Sequence, residues 1–176
     1  GIWANIFSDN EARKAGWASW NENYAVAFQA KFSDVVNCHA DKTFAFDSNW
    51  TVRPAAKWGD GETHQAVYSF CSVNEGKTMA DSERASDAFV AAMEIGRAEN
   101  GPDGYGSTLL MPLFDPSTAG GSMTSYDYAQ SHYWDTSEDK AQGMSNWMME
   151  GNTLREAFED AATCENIEFD LYMLKS

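Results

Sequence analysis

The stretch "FSDVVNCHADKTFAFD" (residues 32–47) returns near the end of the chain as "FEDAATCENIEFD" (residues 158–170). Both segments contain Phe-x-Asp-x-x-x-Cys, followed later by an apolar residue, one further residue and Phe-Asp. Upstream of them, residues 3–20 align with residues 130–147 without a gap. The identical pairs are Glu11 and Glu138, Gly16 and Gly143, Trp20 and Trp147, and Cys38 and Cys164. Because Trp, Gly and Cys match in one consistent order, we interpret the two ends of the chain as copies of one internal repeat.

Each copy of the repeat predicts a strand, an interrupted helix and a second strand. The first strand is expected at residues 4–8 in one copy and 129–134 in the other. A helix follows the strand and is interrupted after the aligned Trp of each copy. In the second copy, Thr153 and Glu156 have the capping-box spacing that would restart the helix. Apolar and polar residues then alternate over residues 167–173, which indicates a strand. Each copy is therefore predicted to be a βαβ unit.

The middle of the chain predicts a third unit with the same order of elements. Residues 64–73 alternate as a strand, and Thr78 with Asp81 three residues later can cap the helix that follows. Turn residues concentrate at 99–106 and end this helix, and residues 107–114 read as another strand. The whole chain is thus βαβ three times, with the first and third units alike.

These units predict the α+β class and a division into domains. The second and third units give β-α-β-β-α-β over residues 63–176, which is the ferredoxin-like arrangement. Residues 1–53 then form the second half of another such unit, whose first half would lie upstream of the chain. Residues 54–62 contain Pro, Gly and charged residues and are expected to be the linker. We therefore predict a duplicated ferredoxin-like fold, made of βαβ units with antiparallel sheets.

In its order of elements, this arrangement resembles a fused dimeric α+β barrel. That group includes antibiotic-biosynthesis-monooxygenase-like proteins, chlorite-dismutase-like haem proteins and stress-responsive barrel proteins. The resemblance covers nearly the whole chain but includes no diagnostic motif, so it concerns the fold rather than the activity. It implies two sheets that face each other, with small apolar or aromatic ligands bound between sheet and helices.

The ferredoxin-like arrangement also bears on the three cysteines. Its strand order, 4-1-3-2, makes the first and last strands antiparallel neighbours, which brings Cys71 beside Cys164 and implies a disulfide. Cys38 matches Cys164 in the repeat and would pair with a residue upstream of the chain. Three buried free thiols in a cytosolic protein are the alternative, and the chain has no CxxC or HxxxH spacing that would favour a metal site. A disulfide would indicate a periplasmic or extracellular location.

The composition argues against two classes of binding partner. The net charge of −15 argues against nucleic acid and against anionic membrane surfaces, since both need a basic footprint. No apolar run approaches the roughly 20 residues of a membrane span. The start of the chain shows no signal peptide and no Met, which predicts a mature processed protein or a fragment.

Aromatic residues around one strand are the candidate ligand-binding residues. Alternate residues of 126–134 share a strand face, and aromatic residues of the flanking strands can join them. The expected lining is Tyr68, Tyr128, His132, Trp134 and Tyr172. His132 is the one candidate catalytic residue, because a histidine among aromatics can act as a base, a hydrogen-bond donor or a haem ligand. The alternative is that these aromatics only pack the sheet, with His132 a satisfied and partly buried residue.

Three functions remain open on this sequence, which predicts no cofactor and no metal. The first is a secreted or periplasmic protein that binds a small apolar or aromatic ligand without catalysis, or assembles with itself. The second is a cofactor-independent enzyme that is monooxygenase-like or isomerase-like. The third is a structural or surface-assembly protein.

Overall fold

The computed structural model describes residues 3–36, 44–54, 58–59, 61–101, 103–118 and 126–173. Contacts divide the chain into two compact units, Gly1–Thr43 and Phe44–Ser176. The helices are α1 (Asn10–Asn23), α2 (Ala25–Phe32), α3 (Met79–Asn100), α4 (Ser137–Glu150) and α5 (Asn152–Ala161), with a 3-10 turn at Pro116–Thr118. The strands are β1 (Phe46–Val52), β2 (Thr63–Val73), β3 (Tyr105–Pro112), β4 (Tyr128–Trp134) and β5 (Ala162–Tyr172). None of the helices in the described part of the chain is long and apolar enough to cross a membrane.

The first unit consists of two helices and an aromatic cluster. The Asp9 carboxylate caps α1 by accepting a hydrogen bond from the Ala12 N–H at 2.8 Å. Residues 3–7 form no strand, so the predicted strand at residues 4–8 is wrong. A strand needs a neighbour to satisfy its backbone N–H and C=O groups, and the described part of this unit contains none. The clustered rings, with centroids 4.9–6.1 Å apart, are Trp3, Trp20, Tyr24, Phe28 and Phe32.

The second unit is built on one open, antiparallel sheet of five strands in the order β1-β3-β4-β2-β5. The α+β class is therefore confirmed. When only the four strands of residues 63–176 are numbered, β2 is the first, β3 the second, β4 the third and β5 the fourth. Their order across the sheet is then 4-1-3-2, the order from which the cysteine pairing was predicted. The strands β1 and β5 are the two edges of the sheet, because each has a single neighbour.

The edge strand β1 extends this sheet. It pairs with β3 from Phe46 opposite Pro112 to Val52 opposite Ser107, with a bulge between Trp50 and Val52. The sequence analysis grouped these residues with 1–53, whereas the contacts divide the chain before β1 begins. The pairing joins residues about 60 positions apart, and such long-range partners leave no local sequence signal.

Of two helix caps predicted in the second unit, one is present and the other is not. Thr78 and Asp81 form the predicted capping box at α3, where the Thr78 N–H donates to Asp81 Oδ2 at 2.8 Å. The predicted capping box of Thr153 and Glu156 is wrong. The helix α5 already begins one residue earlier than Thr153, directly after Gly151, without a side-chain cap.

The helices α3, α4 and α5 pack on one side of the sheet, which we call the helix face. Its core has two clusters of buried residues. The first comprises Val52, Tyr105 and Trp134 with Val67, Phe89, Val90 and Met93, and the second comprises Cys71, Tyr128 and Ala162 with Val73, Met79, Leu109 and Met111. Trp147 of α4 and Phe158 of α5 join this core through the ring of Phe89. The opposite side of the sheet is called the open face below.

A disulfide joins the two strands at one edge of the sheet. Cys71 in β2 and Cys164 in β5 are directly opposite in the antiparallel register, with Cα atoms 4.1 Å apart. The predicted Cys71–Cys164 pairing is confirmed, although Cys164 lies inside β5 rather than before it. Cys38 lies outside the described residues, so its upstream partner stays a prediction.

Two helical glycines, Gly143 and Gly96, differ in the space available for a side chain, and this difference can be tested. A Cβ added at Gly143 would lie 2.9 Å from Nε1 of the buried Trp134, whereas a Cβ at Gly96 of α3 would meet nothing within 4 Å. We expect Gly143→Ala to lower the free energy of unfolding by about 1–2 kcal/mol, because the indole has no room to retreat. The matched change Gly96→Ala should raise it by up to about 1 kcal/mol through helix propensity. Urea denaturation of both variants measures this, and equal effects at the two sites would contradict the packing described.

Candidate functional site

The five residues predicted to line one ligand-binding site do not all lie on the same face of the sheet. Val67 lies opposite His132 and Tyr68 lies opposite Ser131, so Tyr68 and His132 point to different faces. His132 lies on the helix face together with Tyr128 and Trp134, whereas Tyr68 lies on the open face. Tyr172, at the end of β5, is 65% exposed. The structure thus brings three of the five residues together and leaves Tyr68 and Tyr172 apart from them.

On the helix face, the ring of His132 forms a triangle with those of Tyr105 and Trp134. Its centroid lies 6.0 Å from that of Tyr105 and 6.2 Å from that of Trp134, and the Tyr105 and Trp134 centroids are 5.4 Å apart. The Tyr105 hydroxyl is hydrogen-bonded to His132 Nδ1 at 2.6 Å, and burial raises the pKa of Tyr105, so the phenol stays protonated. Burial lowers the pKa of His132 to about 4. At neutral pH the imidazole is therefore uncharged, and its Nδ1 is engaged by the Tyr105 hydroxyl.

This environment limits what His132 can do chemically. A general base needs a free lone pair within reach of the proton that it removes. Nδ1 of His132 is already engaged by Tyr105, and the rings of Tyr105 and Trp134 lie beside the imidazole. Such geometry favours the reading in which His132 is a partly buried residue that packs the sheet. Tyr105 was not predicted as a site residue, because residues 99–106 are rich in turn residues and residues 105–109 show no alternation of apolar and polar residues.

The open face carries a second aromatic group, centred on Tyr133. We call it the open-face site and define it by Trp50, Trp58, Tyr68, Tyr133 and Phe169. The Tyr133 ring contacts those of Trp50, Trp58 and Tyr68 at centroid distances of 5.9, 5.4 and 6.3 Å. Tyr68 in turn contacts Phe169 edge-on at 5.5 Å. Tyr133 itself is 9% exposed, the rings around it are partly exposed, and the small residues of the same face are buried, namely Ala66, Ala129 and Ser131.

A chain of hydroxyl groups runs beneath this aromatic surface. The Thr108 hydroxyl is hydrogen-bonded to that of Ser131, and Ser131 Oγ donates to Tyr133 Oη at 2.7 Å. The chain ends at Tyr68, whose Oη is 3.4 Å from Tyr133 Oη. Burial, with the neighbouring Tyr133, raises the pKa of Tyr68. Tyr68 is therefore protonated at physiological pH, and it offers a hydrogen bond rather than a base.

The position of Trp58 is fixed by contacts across the sheet. Its indole Nε1 donates to Asp135 Oδ1 at 2.6 Å, and its ring stacks on His64 with centroids 4.5 Å apart. His64 is 5% exposed, and its Nδ1 is 3.2 Å from the Asp135 carbonyl oxygen. These contacts hold Trp58 beside Tyr133, at one margin of the open-face site. Sequence analysis placed Trp58 in a linker and did not include it.

The open-face site is almost free of charge, although the chain carries a net charge of −15. Among the described strand residues that point to this face, Glu165 is the single carboxylate, and the Tyr126 hydroxyl donates a hydrogen bond to it. The other carboxylates of β5, Glu168 and Asp170, point to the helix face, where Glu168 pairs with Lys140 at 2.6 Å. The described residues contain no group of three His, Cys, Asp or Glu side chains that could hold a metal ion.

Comparison with known proteins gives no further assignment. No family model, no curated protein and no solved structure matches the chain.

Proposed function

We propose that this protein is an exported, non-catalytic binding protein whose open-face site accepts a small, flat apolar or aromatic ligand. The observation that carries this proposal is the aromatic surface around Tyr133, with few charged groups, on the side of the sheet opposite α3, α4 and α5. Binding sites for such ligands are mostly apolar and contain a few polar groups that fix orientation. The hydroxyl of Tyr68, at the end of the hydroxyl chain, is suited to that polar role.

The protonation states at both faces support binding over catalysis. Tyr68 has a raised pKa, and His132 has its Nδ1 engaged by Tyr105. Tyr68 stays protonated at neutral pH, and the lowered pKa of His132, about 4, makes it a weak base, so a monooxygenase-like or isomerase-like reaction has no well-matched proton acceptor here. The enzymatic alternative therefore receives less support from this geometry than ligand binding does.

The disulfide supports a periplasmic or extracellular location. Structural disulfides form and persist in oxidising compartments and are rare in the cytosol. The Cys71–Cys164 bridge is placed where β2 and β5 pair over eleven residues, and Cys71 is 2% exposed. Cys164 is exposed on the edge strand β5, so the bridge ties two strands of the sheet together and is accessible from one side.

We further propose that residues 63–176 form a ferredoxin-like unit and that the two ends of the chain arose by duplication. The order of β2 to β5 supports the first statement. The second is supported by α1 and α4, which both have 14 residues and begin at aligned positions. Both helices also end with a backbone hydrogen bond to the aligned Trp20 or Trp147 carbonyl oxygen.

A matched glycine contact adds weight to the duplication. Gly16 of α1 and Gly143 of α4 are aligned, and so are Phe7 and Trp134. A Cβ at Gly16 would lie 2.7 Å from the Phe7 ring, just as one at Gly143 would lie 2.9 Å from the Trp134 ring. The same ring-on-glycine contact thus recurs within each copy.

Self-association is a second candidate for the open-face site. Trp50 and Ile167 on this face are 36% and 40% exposed, and apolar surface of this kind is also suited to a second copy of the chain. A dimer of facing sheets would correspond to the barrel that the fold-level resemblance implies. Structural or surface assembly would use the same surface.

Titration with the neutral fluorophore Nile red tests the proposal. We expect Trp50→Ala to weaken binding about tenfold, since it removes a large aromatic contact, and Tyr68→Phe to weaken it about three- to tenfold through loss of one hydrogen bond. Tyr172→Ala is the matched control and should leave the affinity unchanged. Light scattering on the same samples distinguishes a dimer from a ligand-binding monomer. Equal affinities for the wild type and Trp50→Ala would reject the open-face site.

A further inference from the structure

A small cavity lies in the layer between the helix face of the sheet and the helices α3 and α5. Its volume is about 10 Å³, and its apolar wall includes Leu109 and Phe158. Its polar wall includes Ser82 and Ser86, one turn apart on α3, and Gln130 on β4. The cavity belongs neither to the open-face site nor to the rings around His132.

Three polar side chains that line this cavity have unused hydrogen-bonding capacity. Ser86 Oγ and Gln130 Nε2 are buried without a partner among the described residues, and Ser82 Oγ, which donates towards the Tyr128 hydroxyl on the same wall, keeps its lone pairs free to accept. Ser82, Ser86 and Gln130 are only 4%, 7% and 5% exposed, respectively. Burial of a polar group without a partner is unfavourable, and such groups in folded proteins are nearly always satisfied by protein or by ordered water. Their convergence on one cavity indicates a common partner.

We propose that this cavity is a binding site for a single internal water molecule that bridges α3 and β4. A cavity of this volume accommodates about one water, and a buried water needs two to four polar partners, of which three are present. Gln130 Nε2 is a donor only, so the occupant must accept a hydrogen bond. A water oxygen can do this, whereas an ammonium ion has no lone pair to offer.

The bridging water would add a second polar link between α3 and β4, beside the interaction of Ser82 with the Tyr128 hydroxyl. It would accept from Gln130 Nε2 and donate to the hydroxyls of Ser82 and Ser86. The two serines and the glutamine would then depend on one another through a shared partner, without direct contact. That dependence is what distinguishes a bridge from three independently solvated groups.

A double-mutant cycle measures this dependence. We expect Ser86→Ala and Gln130→Met each to reduce the folding equilibrium constant about tenfold, and the double variant to reduce it little more than either single change. The matched control combines Ser86→Ala with Ser131→Ala, because the Ser131 hydroxyl lies on the open face. The reductions of the folding equilibrium constant by these two changes should multiply. Multiplying effects of Ser86→Ala and Gln130→Met would overturn the shared water.

A crystal structure of the unmodified chain provides a second test that does not depend on whether the variants fold. The expected result is an ordered water within hydrogen-bonding distance of Ser82 Oγ, Ser86 Oγ and Gln130 Nε2. A direct hydrogen bond from Gln130 to either serine, with no density between them, would overturn the proposal.

Discussion

Replacement of Cys71 and Cys164 together by alanine is expected to lower the free energy of unfolding by about 4 kcal/mol. The two residues are 93 positions apart, so the bridge closes a long loop and strongly restricts the unfolded chain. The bridge also ties the edge strand β5 to β2, and these two strands pair over their full length. Because domains are stable by only about 5–15 kcal/mol, this loss would be a large share of the total.

Urea denaturation under non-reducing conditions measures this effect. The oxidised wild type should unfold at a clearly higher urea concentration than the double variant, and reduced wild type should behave like the variant. Cys38→Ala is the matched control and should leave the Cys71–Cys164 bridge and its contribution intact. If oxidised and reduced wild type unfold at the same urea concentration, the bridge does not have the stabilising role expected of it.

Local patterns in the sequence were sufficient to predict most elements of the second unit. The strict alternation of apolar and polar residues predicted β2 and β5, and Thr78 with Asp81 predicted the start of α3. These signals succeed because strand alternation and helix capping depend on residues only a few positions apart. The order of β2 and β5 followed from the ferredoxin-like arrangement, and it brought the two cysteines together.

The candidate site was harder to predict, because it depends on strand register and on contacts between distant residues. A shift of one residue in register moves a side chain to the other face, and the sequence does not show that Tyr68 lies opposite Ser131 rather than His132. Trp58 joins the open-face site through a hydrogen bond to Asp135, 77 positions away. Trp50 joins it because β1 pairs with β3. No local pattern encodes either contact.

Because His132 is buried, we expect the free energy of unfolding to depend on pH between about 6.5 and 4. Its pKa is about 4 in the folded protein, whereas a histidine in an unfolded chain titrates near 6.5. Between these values the unfolded chain binds a proton that the folded protein does not. The free energy of unfolding should therefore be highest above pH 6.5 and should fall as the pH is lowered towards 4, by up to about 3 kcal/mol from this residue.

The variant His132→Asn isolates this contribution, because the amide oxygen can still accept the Tyr105 hydrogen bond but does not titrate. Urea denaturation of wild type and variant at pH 7 and pH 4.5 should give a smaller loss of stability for the variant, and carboxylates that titrate in both proteins cancel in the comparison. Tyr105→Phe is the informative control: it removes the hydrogen bond but leaves the imidazole buried, so the pH dependence should persist. An equal loss of stability in wild type and His132→Asn would mean that the imidazole is not held neutral by burial, and the account of the helix face given above would have to be abandoned.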